Sequence, residues 1–382
     1  MPLDTIYLTR HGHRLNWTID YKTGTYHSQF PTPTGNPADP TLTSHGVRQS
    51  HELAAHFVGK DIAPKPFRIY SSPFYRCLQT IQPTVEALKE RQGRKRVGAA
   101  ASGSSTATPD NADNGIDLDI DIDDAADFTV RLEPGLGEWF GPTTFFTHPS
   151  PSSPATLQTH FPTLLPPPNS TPSNTPSLPS PPHPTTILTP SPTGESIPQL
   201  HNRLATTLSQ LITDLDTEIA ALEATLPPHV PRTSKAVLIC SHAAPLIAMG
   251  RVLTGNMPED SGEEDFGVFT AGVSTFVRRN GDKGGDVEGG DGGGGNRAGA
   301  LAPGTKGMRG DVDLKVPEWK GGRGVGGGWE CVRNGDCGFL SGGAERGWHF
   351  NGEEDFDTGP MAGPGAVPTV GLETEVDGGS KL

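Results

Sequence analysis

Cysteine is scarce in this chain, long apolar runs are absent, and positive charge is in deficit. Four cysteines, Cys77, Cys240, Cys331 and Cys337, stand in 382 residues, and none of their spacings is C-x-x-C. That pattern reads as reduced intracellular thiols and argues against a disulfide framework. No His, Cys and Asp cluster has the spacing of metal ligands, so neither a metal nor another cofactor is expected. No run approaches the roughly 18 apolar residues a membrane span needs. The start, MPLDTIYLT, has no basic stretch followed by an apolar core, so a secretory leader is not expected either. The formal net charge is -14. A general nucleic-acid surface would be basic, so direct nucleic-acid binding is not expected, although a local basic pocket for an anion is compatible with this balance.

Glycine and proline are plentiful, at 49 and 38 residues, while hydrophobic residues make up only 33%. Much of such a chain buries too little apolar surface to offset the entropy of ordering. The expectation is one folded domain over residues 1–352. It carries disordered insertions near 93–127, 141–185 and 281–310, and an acidic, Gly-rich tail over 353–382. The first insertion is Gly/Ser/Ala-rich and then Asp-rich, the second Pro/Ser/Thr-rich and the third Gly-rich. The Pro-rich and acidic segments suit binding to protein partners.

Between these segments, apolar runs alternate with helical patterns. TIYLTRHG is a buried strand feeding a loop. The stretch LTSHGVRQSHELAAHFVG predicts a helix with Ser44 as its N-cap and Gly59 at its end. FRIYSSPF predicts a second strand, and RCLQTIQPTVEALKERQ a helix interrupted by Pro83. SIPQLHNRLATTLSQLITDLDTEIAALEATL has helical spacing. KAVLICSHAAPLIAMGRVLTG reads as strand, tight loop and helix, and FTAGVSTFVRRN as a strand. WECVRNGDCGFL predicts a final hairpin turning at Asn334-Gly335. Strand-helix alternation of this kind implies an α/β fold, a three-layer α/β/α sandwich around a mainly parallel sheet. Ligands of such sheets sit beyond the carboxyl ends of the strands. Arg10-His11, Ser71-Ser72 and Ser241-His242 all fall where predicted strands end.

Those strand ends would bring Arg10, His11, Arg14, Arg76 and His242 towards one pocket. Two imidazoles and three guanidiniums repel one another unless an anion joins them. Arginine forks match phosphate oxygens, so a phosphoryl group is the expected partner. The motifs RHG, LTSHGVRQ, SSPFYRCLQT and SHAA, in that order, resemble the histidine phosphatase superfamily, also called phosphoglycerate mutase-like. The stretches RHGHRLNW, EPGLGEW and NGDCGFLSGGAERGWHF are most similar to the phosphatase-like domain of the fungal tau subunit of TFIIIC and to UBASH/Sts-type phosphatases.

The resemblance implies that His11 is a nucleophile forming a phosphohistidine. It implies that Arg10, Arg14, Arg76 and His242 clamp the phosphoryl oxygens, and that Glu133 protonates the leaving oxygen, with Glu138 as runner-up. It implies a phosphomonoester hydrolase acting on a phosphorylated small molecule or phosphoprotein, in the cytoplasm, the nucleus or both. The alternative is a phosphatase-like scaffold with little turnover in a TFIIIC-type or signalling assembly. His13 and His45 read as solvated, and Cys240 as an inert small hydrophobe. Ser72 either binds phosphate or merely ends its strand.

Overall fold

The computed structural model describes residues 2–102, 122–166, 186–279, 299–310 and 314–352. Its core is a six-stranded sheet built from β1 (Thr5–Arg10), β4 (Pro66–Ser71), β5 (Val130–Leu132), β7 (Ala236–Ser241), β8 (Val273–Arg278) and β10 (Trp329–Asp336), in the order β10-β8-β1-β7-β4-β5. β1, β7, β4 and β5 are mutually parallel; β8 runs antiparallel to β1, and β10 antiparallel to β8. Every residue of β1, β4 and β7 is buried. Continuous burial is the mark of parallel strands covered on both faces. One helical layer pairs α1 (Ser44–Val58) with α2 (Tyr75–Ser102); another pairs α4 (Ile197–Thr225) with α5 (Ala243–Thr254). The architecture is the expected three-layer α/β/α arrangement with a mainly parallel sheet.

Small elements flank this frame. β2 (Trp17–Asp20) and β3 (Thr25–Ser28) form a hairpin, and β6 (Leu188–Thr189) pairs with β9 (Lys306–Gly307). A short helix, α3 (Pro154–His160), lies inside the Pro-rich stretch. There Ser153 caps the amide of Thr156, Pro154 occupies the first turn, and Leu157, Phe161 and Leu164 are buried. A proline at a helix start loses no hydrogen bond, so this sequence supports a turn of helix that composition alone argues against. Likewise α2 runs to Ser102, past the expected start of the first insertion, and Ile122 and Ala126 pack into the core. The remainders of the expected insertions, over 103–121, 167–185 and 280–298, and the tail over 353–382 lie outside the described residues.

Three local expectations are corrected. The N-cap of α1 is Thr43, whose side chain accepts from the Gly46 amide; Ser44 is the first helical residue. α2 continues through Pro83. Trp329–Asp336 is one bulged strand on β8 rather than a hairpin. Gly335 does take a left-handed φ of 59°, but Asn334 uses its amide to tie this strand to residues 265–267: Nδ2 donates to the Asp265 carbonyl, and Oδ1 accepts from the Gly267 amide.

Candidate active site

Register builds the site. Arg10 of β1 stands opposite Ser241 of β7, and Ser71 of β4 opposite Cys240 of β7. His11, Ser72 and His242 are therefore the first residues beyond three adjacent strand ends. The amide of His11 donates to the Ser241 carbonyl and that of Ser72 to the Cys240 carbonyl, which keeps these residues in line with the strands they leave. The rings of His11 and His242 lie 5.4 Å apart, edge to face. Both are almost fully buried, at 2% and 0% exposure. His242 also stands at the N-cap position of α5, without a capping bond from its side chain, and the first amides of α5 open on this end of the sheet.

α2 brings the next groups from one face, because residues four apart align on a helix. Thr80 Oγ1 accepts from the Gly12 amide at 2.9 Å, and one turn earlier Arg76 extends its guanidinium. Arg76 Nη2 lies 2.8 Å from Glu138 Oε2 and 3.1 Å from His242 Nδ1. Its Nη1 donates to Asp39 Oδ1 and to the Ala38 carbonyl. Asp39 also accepts from the Tyr75 and Arg76 amides, so one buried carboxylate serves both the first turn of α2 and its arginine. An arginine in a first helical turn calls for an anion. The structure supplies two from the chain itself, Asp39 and Glu138.

The expected acid and its runner-up stand in different surroundings. Glu133 is buried and accepts backbone amides: Gly135 N on Oε1 at 2.8 Å, Ile187 N on Oε2 at 2.7 Å and Leu188 N on Oε1 at 3.3 Å. It braces the turn Pro134–Leu136 against β6. Five residues on, that turn delivers Glu138, whose Oε2 is 3.2 Å from His242 Nδ1. Its side chain keeps 16% exposure, while the arginine and histidine it meets have none. One ligand atom each from His11, Glu138 and His242 lie within 4.8 Å of one another. Residues this far apart in the chain leave no spacing signal. Two imidazoles and a carboxylate could hold a divalent cation, yet Arg76 already shares the Glu138 oxygen, and the surrounding guanidiniums favour an anion.

The remaining expected phosphate ligands have protein partners. Arg10 Nη1 donates to the carbonyls of Val268 at 2.9 Å and Arg346 at 2.5 Å. Two non-glycine residues with left-handed φ adjoin Arg10: Arg346 at 50°, and Ala271 at 57°, whose amide donates to the Arg10 carbonyl. Such conformations cost free energy and persist only where their surroundings hold them. Part of that hold comes from α1. His45 donates to Glu345, Gln49 donates to Glu345, Glu52 accepts from Ser341, and His56 stacks on Phe339, a stripe along one helix face. Arg14 donates to the Leu15 carbonyl and lies 5.9 Å from the Trp17 ring. Ser72 Oγ lies 2.8 Å from His242 Nε2, so it does more than end its strand. Asp39 gave no signal in the sequence; it sits in a Pro- and Asn-rich loop.

Protonation follows from these contacts. Burial, Arg76 and Arg10 hold His11 well below its ordinary 6.5, so it is neutral. His11 Nδ1 lies 2.9 Å from the Gly12 carbonyl; with its proton there, Nε2 carries the lone pair. His242 and Arg76 hold Glu138 well below the usual carboxylate range against its burial. Against its burial, His242 is raised above its ordinary value by Cys77 and Glu138 beside it. In its protonated form His242 can donate from Nδ1 to Glu138 and from Nε2 to Ser72. Burial pushes Glu133 up to about 7.

Residues 6–95 match the histidine phosphatase superfamily, branch 1. That segment contains His11, Arg10, Arg14, Arg76 and Asp39 of the cluster. The chain is 27% identical over 256 residues to the transcription factor tau 55 kDa subunit of Saccharomyces cerevisiae, covering 67% of this chain and 42% of the yeast protein. The chain thus spans less than half the length of that curated relative. Solved structures similar to it include the ecdysone phosphate phosphatase of Bombyx mori, at 14% identity and a TM-score of 0.42, covering 72% of this chain and 92% of that one. Another is a phosphoserine phosphatase of Entamoeba histolytica, at 17% identity and a TM-score of 0.33, covering 72% and 90%. Among the described residues no helix is long and apolar enough to cross a membrane.

Proposed function

We propose that the chain is a phosphomonoester hydrolase working through a phosphohistidine on His11. The observation that carries this reading is the buried His11 ring lying against His242, which meets Arg76 and Glu138, with both histidines just beyond the carboxyl ends of adjacent parallel strands. In the first step the Nε2 lone pair of His11 attacks phosphorus, the bond from phosphorus to the leaving oxygen breaks, and that oxygen takes a proton from Glu138. In the second step water attacks the phosphohistidine, the phosphorus-nitrogen bond breaks, Glu138 takes the water's proton, and inorganic phosphate leaves. Glu138 is ionised while Arg76 and His242 serve it alone. A phosphate monoester entering as its monoanion draws those same cations and raises the proton affinity of the carboxylate, so the ester's own proton passes to Glu138, which then gives it to the leaving oxygen. Arg76 and His242 then stabilise the charge on the transferring group. The assay is hydrolysis of an aryl phosphate, with the phosphohistidine trapped in a rapid acid-free quench. His11→Ala should abolish both, and equal rates for the two proteins would overturn the reading.

A second reading is favoured by the similarity to the tau subunit and by the burial of the cluster. In it the chain is a phosphatase-like subunit of a TFIIIC-type nuclear assembly with little turnover. Affinity capture of transcription-factor subunits by the tagged chain, together with an inactive wild type, is the result it requires.

A further inference from the structure

We propose that Arg203, with its partner Glu195, is the positioning residue that sets where Glu138 stands; this rests on the reading of Glu138 as the proton donor. Arg203 lies in α4, fully buried, and touches neither His11 nor His242 among its hydrogen bonds. All three of its nitrogens are engaged. Nε donates to both Glu195 oxygens, at 2.8 and 3.1 Å, and Nη2 lies 2.5 Å from Oε1. Nη1 donates to the carbonyls of Gly135 at 2.7 Å and Gly137 at 3.1 Å, and Nη2 reaches the Glu138 carbonyl at 3.4 Å.

These carbonyls lie at and just beyond a single turn of 3-10 helix, where backbone acceptors have no helical partner. A planar fork can gather three of them at once, and a lysine ammonium cannot hold the same geometry. The buried charge requires a counter-charge, which Glu195 supplies. Glu195 also grips the far side of Glu138 through its backbone: its amide donates to the Phe140 carbonyl at 2.9 Å, and its carbonyl accepts the Trp139 indole at 2.8 Å. On the near side Glu133 holds the Gly135 amide. The segment carrying Glu138 is therefore fixed before and after it, and its Oε1 accepts the Trp139 amide at 3.1 Å. What remains is Oε2, directed to Arg76 and His242.

A purely structural role would lower stability and slow every substrate by the same factor. A positioning role slows most the substrates whose leaving oxygen needs the proton. The experiment compares p-nitrophenyl phosphate, a good leaving group, with glycerol phosphate, a poor one. The variants are Arg203→Met/Glu195→Gln, which removes both charges, Arg203→Lys, which keeps the pair, and Glu138→Gln as reference. The ratio of kcat on the two substrates should rise about 10- to 100-fold in the double variant, with KM little changed, and by less in Arg203→Lys. The second readout is the NMR titration of the His242 imidazole, whose midpoint should fall in the double variant and in Glu138→Gln. Folded variants with the wild-type substrate ratio and the wild-type His242 titration overturn the proposal. If the double variant does not fold, Arg203→Lys decides on the same two readouts. If the wild type shows no turnover, the catalytic reading fails and the His242 titration alone decides: a fall supports Arg203 in this role, and no change overturns it.

Discussion

Replacing Glu133 by glutamine isolates one buried carboxyl and gives a pH-dependent stability that can be worked out in advance. Burial raises its pKa from 4.5 to about 7, against three amides that point at it. In the unfolded chain the same group loses its proton near 4.5. Below that pH both states hold the proton. Between 4.5 and about 7 only the folded state does, so stability falls as pH rises, and it levels off above 7. At about 1.4 kcal/mol per tenfold change in proton affinity, the interval amounts to about 3 kcal/mol. Glutamine has no such proton, so its cost, an NH2 facing the amide array, is the same at every pH. Urea unfolding of both proteins from pH 4 to pH 8 gives the difference directly. The wild type should lose about 3 kcal/mol relative to Glu133→Gln across that range. A flat difference would falsify the assignment of a protonated, buried Glu133.

Three further outcomes are expected. A Cβ on Gly46 would stand 2.0 Å from the His13 carbonyl, so Gly46→Ala should displace the loop after His11, cost about 1–3 kcal/mol in thermal unfolding and slow aryl phosphate hydrolysis; a variant normal in both counts against this packing. Asp39→Asn leaves Arg76 short of a buried counter-charge and should cost about 3–5 kcal/mol in chemical denaturation, far more than a surface ion pair; a loss under 1 kcal/mol refutes the pairing. Because His11 is held well below 6.5, the rate should not fall through protonation of the nucleophile between pH 6 and 7, and the acid limb belongs lower; an imidazole at position 11 that titrates near 6.5 by NMR contradicts it.

The sheet was legible because its central strands hold unbroken apolar runs, IYL and AVLIC, each followed by a polar residue. Parallel register then fixed which residues stand abreast, and Arg10, Ser71 and Ser241 followed. Partners that join through space were not legible. Asp39 reaches Arg76 from a loop, and nothing in NPADPTLT marks a buried carboxylate. Glu133 and Glu138 look alike in EPGLGEW. Only the 3-10 turn between them decides that one faces backbone amides and the other Arg76 and His242. Arg203 reads as one polar residue in a long helix, and its value lies in three carbonyls some 65 residues earlier. Thr43 and Ser44 are both good caps, so the boundary differed by one residue. Asn334-Gly335 carries turn chemistry, but the neighbouring β8 offered a strand to join.

The Arg76–Asp39–Glu138–His242 network closes on itself. Arg76 meets Asp39, Glu138 and His242, Glu138 also meets His242, and none of these hydrogen-bond contacts involves His11. The four residues therefore answer to folding as well as to chemistry, since removing one strands another in the interior. His11 makes no hydrogen bond within that circuit: its ring meets the Gly12 carbonyl and packs edge to face on His242. In a lineage released from catalysis, the network would be retained by stability while His11 drifted. Under the proposed mechanism His11, rather than the better-connected residues around it, is thus the position that records whether a chain of this kind has been kept for turnover.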